Sequence, residues 1–175
     1  MPFTPYHFGP SGFIGLAFRK YVDIPVLLLA NVVVDIEVLA ITLLGLGWPV
    51  HRYVHNLLIG AAAGAAWGLL AYPLRNIFGK IMWLIRLPYQ TTLSKMIISG
   101  VLGIWLHAII DAPANWDVRL FWPAKIRPFR HLLTDQQTKA ICLAFLLAAV
   151  ILYLRIATKY TKQPLKKGEQ NEKTA

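Results

Sequence analysis

The sequence predicts an all-α protein that crosses a membrane several times, with about four transmembrane helices in one domain. Three observations carry this. Apolar residues make up 57% of the 175 residues with glycine uncounted, and charged residues only 15%, against about 45–50% and 25% in soluble domains. Mean hydropathy is +0.52. Most charges sit between four long apolar runs and in the C-terminal tail. Aromatic residues, at 12% and with six Trp, exclude a disordered chain, which lacks bulk to bury. The single Cys142 excludes a disulfide framework and a cysteine-built zinc site.

The apolar runs cover residues 24–47, 56–74, 96–112 and 140–157, each near the roughly 17–25 residues that cross a bilayer core. The first is interrupted by Asp35 and Glu37, and the turn residues Gly45, Gly47 and Pro49 near its end make it a broken helix. Segments 11–19 and 77–87 are too short to cross and are expected at the interface or as re-entrant pieces. Residues 1–158 form the integral membrane domain, and the polar tail 159–175 is expected to be disordered. The N-terminal stretch MPFTPYHFGPSGFIG has no basic leader and no small-residue cleavage site, so it is not read as a secretory signal and His7 is expected to stay on the chain.

Net charge is +10, from 18 Lys+Arg against 8 Asp+Glu. Basic residues placed between spans meet anionic headgroups, so membrane lipids are the expected partners and nucleic acid is not. With N-terminus and tail cytoplasmic, basic residues favour the inside two to one, led by Arg19, Lys20, Arg86 and Lys95. Opposing this is the cluster Lys125, Arg127, Arg130 and His131 in the third loop, which either anchors to headgroups or gathers an anionic lipid. Trp48, Trp105, Trp116 and Trp122 read as interface-belt residues. Gly60, Gly64 and Gly68 recur at every fourth residue, a face for close helix packing within the chain or in a homodimer.

The informative residues are those a span normally excludes. Asp35 and Glu37 lie within the first run, where an unpaired carboxylate costs about 3 kcal/mol or more. His107 and Asp111 are four residues apart, hence on one helical face about 6 Å apart. His51 and His55 show the same spacing at the head of the second run, and His7 lies near the start. Two such pairs from different helices, with a buried carboxylate, can converge on one cation. Imidazole with carboxylate suits zinc best, with manganese or iron as alternatives, and a thiolate-free site belongs to the catalytic kind. A straight helix from Asp35 to His51 would hold them about 24 Å apart. A fold-back is therefore required, and Gly45, Gly47 and Pro49 supply it. His7 must dip into the membrane to join.

The ordered series HFGP, NVVVDIE, HRYVH, GIWLHAIIDAP and LFWP, over residues 5–123, resembles the membrane-bound metal-dependent hydrolase family, whose members include LexA-regulated inner-membrane proteins. The resemblance implies a bacterial inner-membrane location and a metal site of His7, Asp35, His51, His55, His107 and Asp111. Three positions depart from the family pattern. Val34 replaces a proline, Glu37 an aspartate and Asn56 a serine, and HRYVH is shorter than the usual motif.

On this reading a divalent ion lowers the pKa of its water from 15.7 toward about 7. Asp35 or Glu37, whichever does not ligate, serves as general base, with His51 the alternative proton carrier. Arg52 either holds a phosphate or carboxylate of the substrate or anchors at the interface. A site inside the bilayer favours a lipid ester or phosphoester. Ser11, Ser94 and Ser99 lie in no G-x-S-x-G context, and no H-E-x-x-H occurs. The rival reading is a small transporter or metal-handling protein that uses the same acids and histidines as a path. A purely structural membrane protein leaves those residues unexplained.

Overall fold

Helix starts in this chain coincide with small polar residues, because the first N–H groups of a helix find no partner within it. A computed structural model describes the backbone of residues 4–172 and the side chains of residues 5–160. It is all-helical among the described residues: α1 (Phe8–Ala17), α2 (Ile24–Leu43), α3 (Leu57–Ala71), α4 (Arg75–Leu84), α5 (Leu93–Asp111) and α6 (Asp135–Glu172). Asp23 caps α2 by accepting from the Val26 N–H at 3.1 Å. Asn56 caps α3 through Ile59 at 2.8 Å, and Thr92 caps α5 through Lys95 at 3.2 Å. Before α6, the Thr134 and Gln137 side chains each accept from the other's backbone N–H, at 3.2 and 2.9 Å, a reciprocal cap.

Four helices are long and apolar enough to cross a membrane: Ile24–Leu43, Leu57–Leu84, Leu93–Asp111 and Asp135–Tyr160. Their outward faces carry bare apolar side chains, such as Leu43 at 76% exposure and Leu70 at 74%, as expected where the surrounding solvent is lipid. Helices α2 and α5 run parallel, with the Asp23 N–H bonded to Ser99 at one end and Asp35 against His107 further along. Helix α3 runs antiparallel to α5 along the glycine face. A Cβ on Gly64 would sit 2.6 Å from the Gly100 carbonyl, and one on Gly68 would sit 2.6 Å from that of Met96. The Gly60, Gly64 and Gly68 face is thus filled by α5 of the same chain.

The fold-back between Asp35 and His51 exists, and the first apolar run breaks where Gly45 and Gly47 are expected to break it. Helix α2 runs unbroken to Leu43, and the chain reverses just beyond, through Gly45 and Gly47 at φ +62° and +73°, a conformation glycine adopts without strain. Of the two placements expected for segment 11–19, the interfacial one is not found, and the segment enters the bundle without crossing it. Helix α1 lies inside the bundle, with Gly9 against the Cys142 and Leu146 backbone and Gly15 against Leu27 and Ile24. It runs parallel to α6 from the His7 end outward. No dip of an inside N-terminus is needed, since Tyr6 already lies by Lys139 on the first turns of α6, 6.0 Å from its ring centre. Tail and His7 are at opposite ends of the bundle.

Segment 77–87 matches the interfacial expectation through α4. Residues 57–74 already span about 27 Å. The 3-10 turn Tyr72–Leu74 then turns α4 across the bundle end, where Phe78 packs with Val26 and Met82 with Leu16 and Ile24. Trp105 is not a belt residue, because its indole N–H is used on the Leu57 carbonyl at 2.8 Å, tying α5 to α3. Lys159 and Tyr160 continue α6. The rest of the tail expected to be disordered lies outside the residues whose side chains are described.

Candidate metal centre

The centre forms where the C-terminal halves of α2 and α5 meet the fold-back loop and the start of α1. Asp35 and Glu37 come from α2, and His107 and Asp111 from the last two turns of α5. His51 and His55 do not lie on a helical face, as their spacing suggests. They sit in the irregular stretch before α3, held by carboxylates that take its backbone N–H groups. Asp117 accepts from Val50 and His51 at 3.1 and 3.2 Å, and Glu37 accepts from Tyr53 and Val54 at 2.7 and 3.1 Å.

Six residues converge: His7, Asp35, His51, His55, His107 and Asp111, in three overlapping groups with ligand atoms within 4.8 Å of one another. These are the six ligand candidates read from the sequence, and the structure brings all of them together. His107 Nε2 lies 3.2 Å from Asp35 Oδ1 and 3.5 Å from Asp111 Oδ2. His51 Nε2 lies 3.7 Å from Asp111 Oδ2, and His7 Nε2 lies 3.1 Å from Asp111 Oδ1. The His7 and His107 rings stack at 3.9 Å. Ligands at 2.0–2.1 Å around a tetrahedral ion stand about 3.3–3.4 Å apart, so atoms at these separations could share one.

Unpaired nitrogen strengthens the fit. Nε2 of His51, His55 and His107 is buried with no aligned hydrogen-bond partner, a costly state unless something binds there. Behind two of the rings stand further carboxylates. Glu37 Oε2 is 3.2 Å from His55 Nδ1, and Asp117 Oδ2 is 2.9 Å from His51 Nδ1. For His55, whose Nδ1 is hydrogen-bonded to Glu37, this is the arrangement that fixes a ligating imidazole's tautomer and raises its basicity; for His51 the carboxylate stands close by as a counter-charge. Burial pushes the His55 imidazole below its ordinary pKa despite Glu37's opposing hydrogen bond, which keeps it in the neutral, ligating form. Burial would raise the Asp117 carboxyl, but the His51 ring and backbone N–H outweigh it and hold it below the ordinary range.

The structure reassigns two expected roles. Glu37 accepts from the Tyr53 and Val54 N–H groups and faces His55 Nδ1, so most of its acceptor capacity holds the loop and the ring. Arg52 donates to the carbonyls of Pro49, Leu46 and Gly47, at 2.8, 2.8 and 3.1 Å, and so clamps the fold-back loop. His131 stays apart, exposed and bonded to Arg130 at 3.1 Å. Sequence reasoning missed Asp117. Its signal was an acid six residues after Asp111, in the same loop as Trp116. Asp35 is the open edge, with its side chain 26% exposed while His55 and His107 are at 1% and 0%.

Fold and site together define a class: an all-helical membrane protein with a buried histidine–carboxylate centre that could hold a metal ion. No protein-family model, curated protein sequence or solved structure matches the chain.

Proposed function

We propose that the protein is a membrane-embedded, metal-dependent hydrolase of the membrane-bound family its motifs resemble, cleaving an ester or phosphoester of a lipid in a bacterial inner membrane. The observation that carries this reading is the convergence of six ligand candidates, with buried imidazole nitrogens that face carboxylates without an aligned hydrogen bond. The all-N/O donor set favours zinc, then manganese or iron. A bound divalent ion supplies Lewis acidity and makes water a stronger acid.

The chain's own groups do the rest. Asp35, at the open edge, is placed to take a proton from water. His51, backed by Asp117, is the alternative proton carrier where its Nε2 does not hold the ion. Glu37 and Asp117 hold the rings in place. Around Asp35, α2 shows Val32 at 41%, Ile36 at 56% and Leu39 at 57% exposure, so the edge faces an apolar, lipid-like surface. That favours a substrate arriving from the bilayer.

Transport fits less well. Between the centre and the far end of the bundle lie Leu27, Met96 and Ile104, all at 0% exposure, where a path would have to pass. The far end carries Arg19, Lys20, Arg86, Lys95 and Arg155, while the centre's end carries the smaller basic set. By the positive-inside rule the centre faces the extracytoplasmic leaflet.

Elemental analysis of detergent-purified wild type beside His107→Ala tests the reading. Near-stoichiometric zinc, manganese or iron, lost in the variant, is expected, followed by release of product from lipid esters or phosphoesters. No metal in either sample after adding it back would remove the chemistry.

A further inference from the structure

The end of the bundle away from the metal centre holds a second feature that the proposed hydrolysis does not use. Arg19, Arg155 and Lys159 line one pocket of about 570 Å³, floored by Pro88, Leu152 and Ile156. Beside it, toward the middle of the spans, lies a groove of about 540 Å³ between α1, α2, α4 and α6, walled by apolar side chains such as Leu28, Met82 and Val150. The two are parts of one seam. Successive turns of α6 line both, Val150 and Tyr153 the groove and Leu152 and Arg155 the pocket, while Leu87 faces the groove and Pro88 the pocket. Val150 and Lys159 are about 14 Å apart along the helix.

A ligand filling this seam needs an anion at one end and a long apolar part at the other. Among the described residues, no carboxylate lies within ion-pair distance of Arg19, Arg155 or Lys159; the Lys–carboxylate pair found is Lys139 with Asp135. A fourth cation, Lys95, is held nearby through the Arg19 and Gln90 carbonyls, at 3.1 and 2.6 Å. A zwitterionic headgroup would bring a further positive charge among these cations, so charge complementarity selects a net-negative one. The groove lies at the level of the spans, where the available apolar ligand is an acyl chain. We infer that this seam binds an anionic phospholipid, its phosphate among Arg19, Arg155 and Lys159 and one acyl chain in the groove beneath α4. It depends on no metal and stands apart from the hydrolase reading.

Thermal unfolding of the full chain in detergent, with phosphatidylglycerol, phosphatidylcholine or inorganic phosphate added, tests it. Phosphatidylglycerol is expected to raise Tm, and the other two are not. Arg155→Ala with Lys159→Ala should weaken the phosphatidylglycerol response roughly thirtyfold, the loss of two basic contacts. Val150→Trp, which fills the groove from an exposed position, should weaken it likewise. Lys125→Ala with Arg127→Ala, at the other end, should leave it intact. An equal response to phosphatidylcholine, or an unchanged response in the double variant, overturns the site. A shift reproduced by inorganic phosphate alone makes it a free-anion pocket and overturns the lipid. If the double variant does not fold, native mass spectrometry of wild type and Val150→Trp decides: anionic lipid retained by wild type and lost from the variant supports the site, and any other pattern sinks it.

Discussion

Asp117 and Asp23 show how single carboxylates set the geometry at the two ends of the bundle. Asp117 takes two backbone N–H groups and faces His51 Nδ1, so one side chain both shapes the loop and aims the ring. Asp117→Asn keeps an acceptor for the backbone but loses the charge behind the imidazole. Metal affinity, read by competition with a chelator, should fall about 10–100-fold with the fold retained, whereas His131→Ala should bind as wild type does. At the other end, Asp23 accepts from Tyr89 at 2.8 Å and Thr91 at 2.6 Å besides capping α2. Burial and Asp23 together raise the Tyr89 hydroxyl above its ordinary pKa, so it remains a donor through the neutral and mildly alkaline range. The stability this adds is present below pH 10 and lost only at higher pH, as the raised group finally ionises. Tyr89→Phe should lower stability by about 1 kcal/mol in a thermal melt at neutral pH. A cost near zero would mean that Thr91 and Val26 satisfy Asp23 alone. The ligand candidates were legible as polar intrusions in or beside apolar sequence, since a membrane span rarely carries such residues without cause. Asp117 was not, because an acid in a polar loop looks like every other.

At the level of helices, small residues decide which faces meet. Gly64 and Gly100 bring α3 and α5 into backbone contact, and a Cβ on Gly64 would meet the Gly100 carbonyl at 2.6 Å. Gly12, by contrast, faces only the Ala149 methyl, at 3.7 Å. Gly64→Ala should therefore cost about 1–3 kcal/mol through overpacking, and Gly12→Ala nothing measurable, by unfolding of the two variants side by side. The four spans and their caps could be read from run length and from Asp23, Asn56 and Thr92. The partner of the glycine face could not, because a repeat of small residues says that something comes close without saying what. The helical placement of His51 and His55 failed for a related reason. Spacing of four suits a helix, but the turn forced by Gly45 and Gly47 spends those residues in a loop pinned by Glu37 and Asp117.

For the whole molecule, charge asymmetry and site position point in opposite directions along the bundle. A single cysteine introduced at Arg119, on the centre's side, should react with an impermeant thiol reagent added to intact cells, and one at Lys159 only after the cells are opened. Cys142, at 1% exposure, adds little background. The reverse pattern would turn the centre toward the cytoplasm. The N-terminal placement was misread from sequence because α1 was taken as a dip from the tail's side. Its parallel course beside α6 becomes visible only once Gly9 is seen against Cys142.

His7 and Asp111, in direct contact, are 104 residues apart in the chain, and between them lie every other ligand candidate and three of the four spans. An ion at this position therefore acts as a clasp on the whole assembly. It could not be gripped fully until α5 rests beside α1 and α2, so metal uptake would report the assembly of these helices rather than a local event. Stripping the ion with a chelator should lower the melting temperature of the entire bundle, including the distant α3–α5 seam, and leave the seam's amide protons easier to exchange.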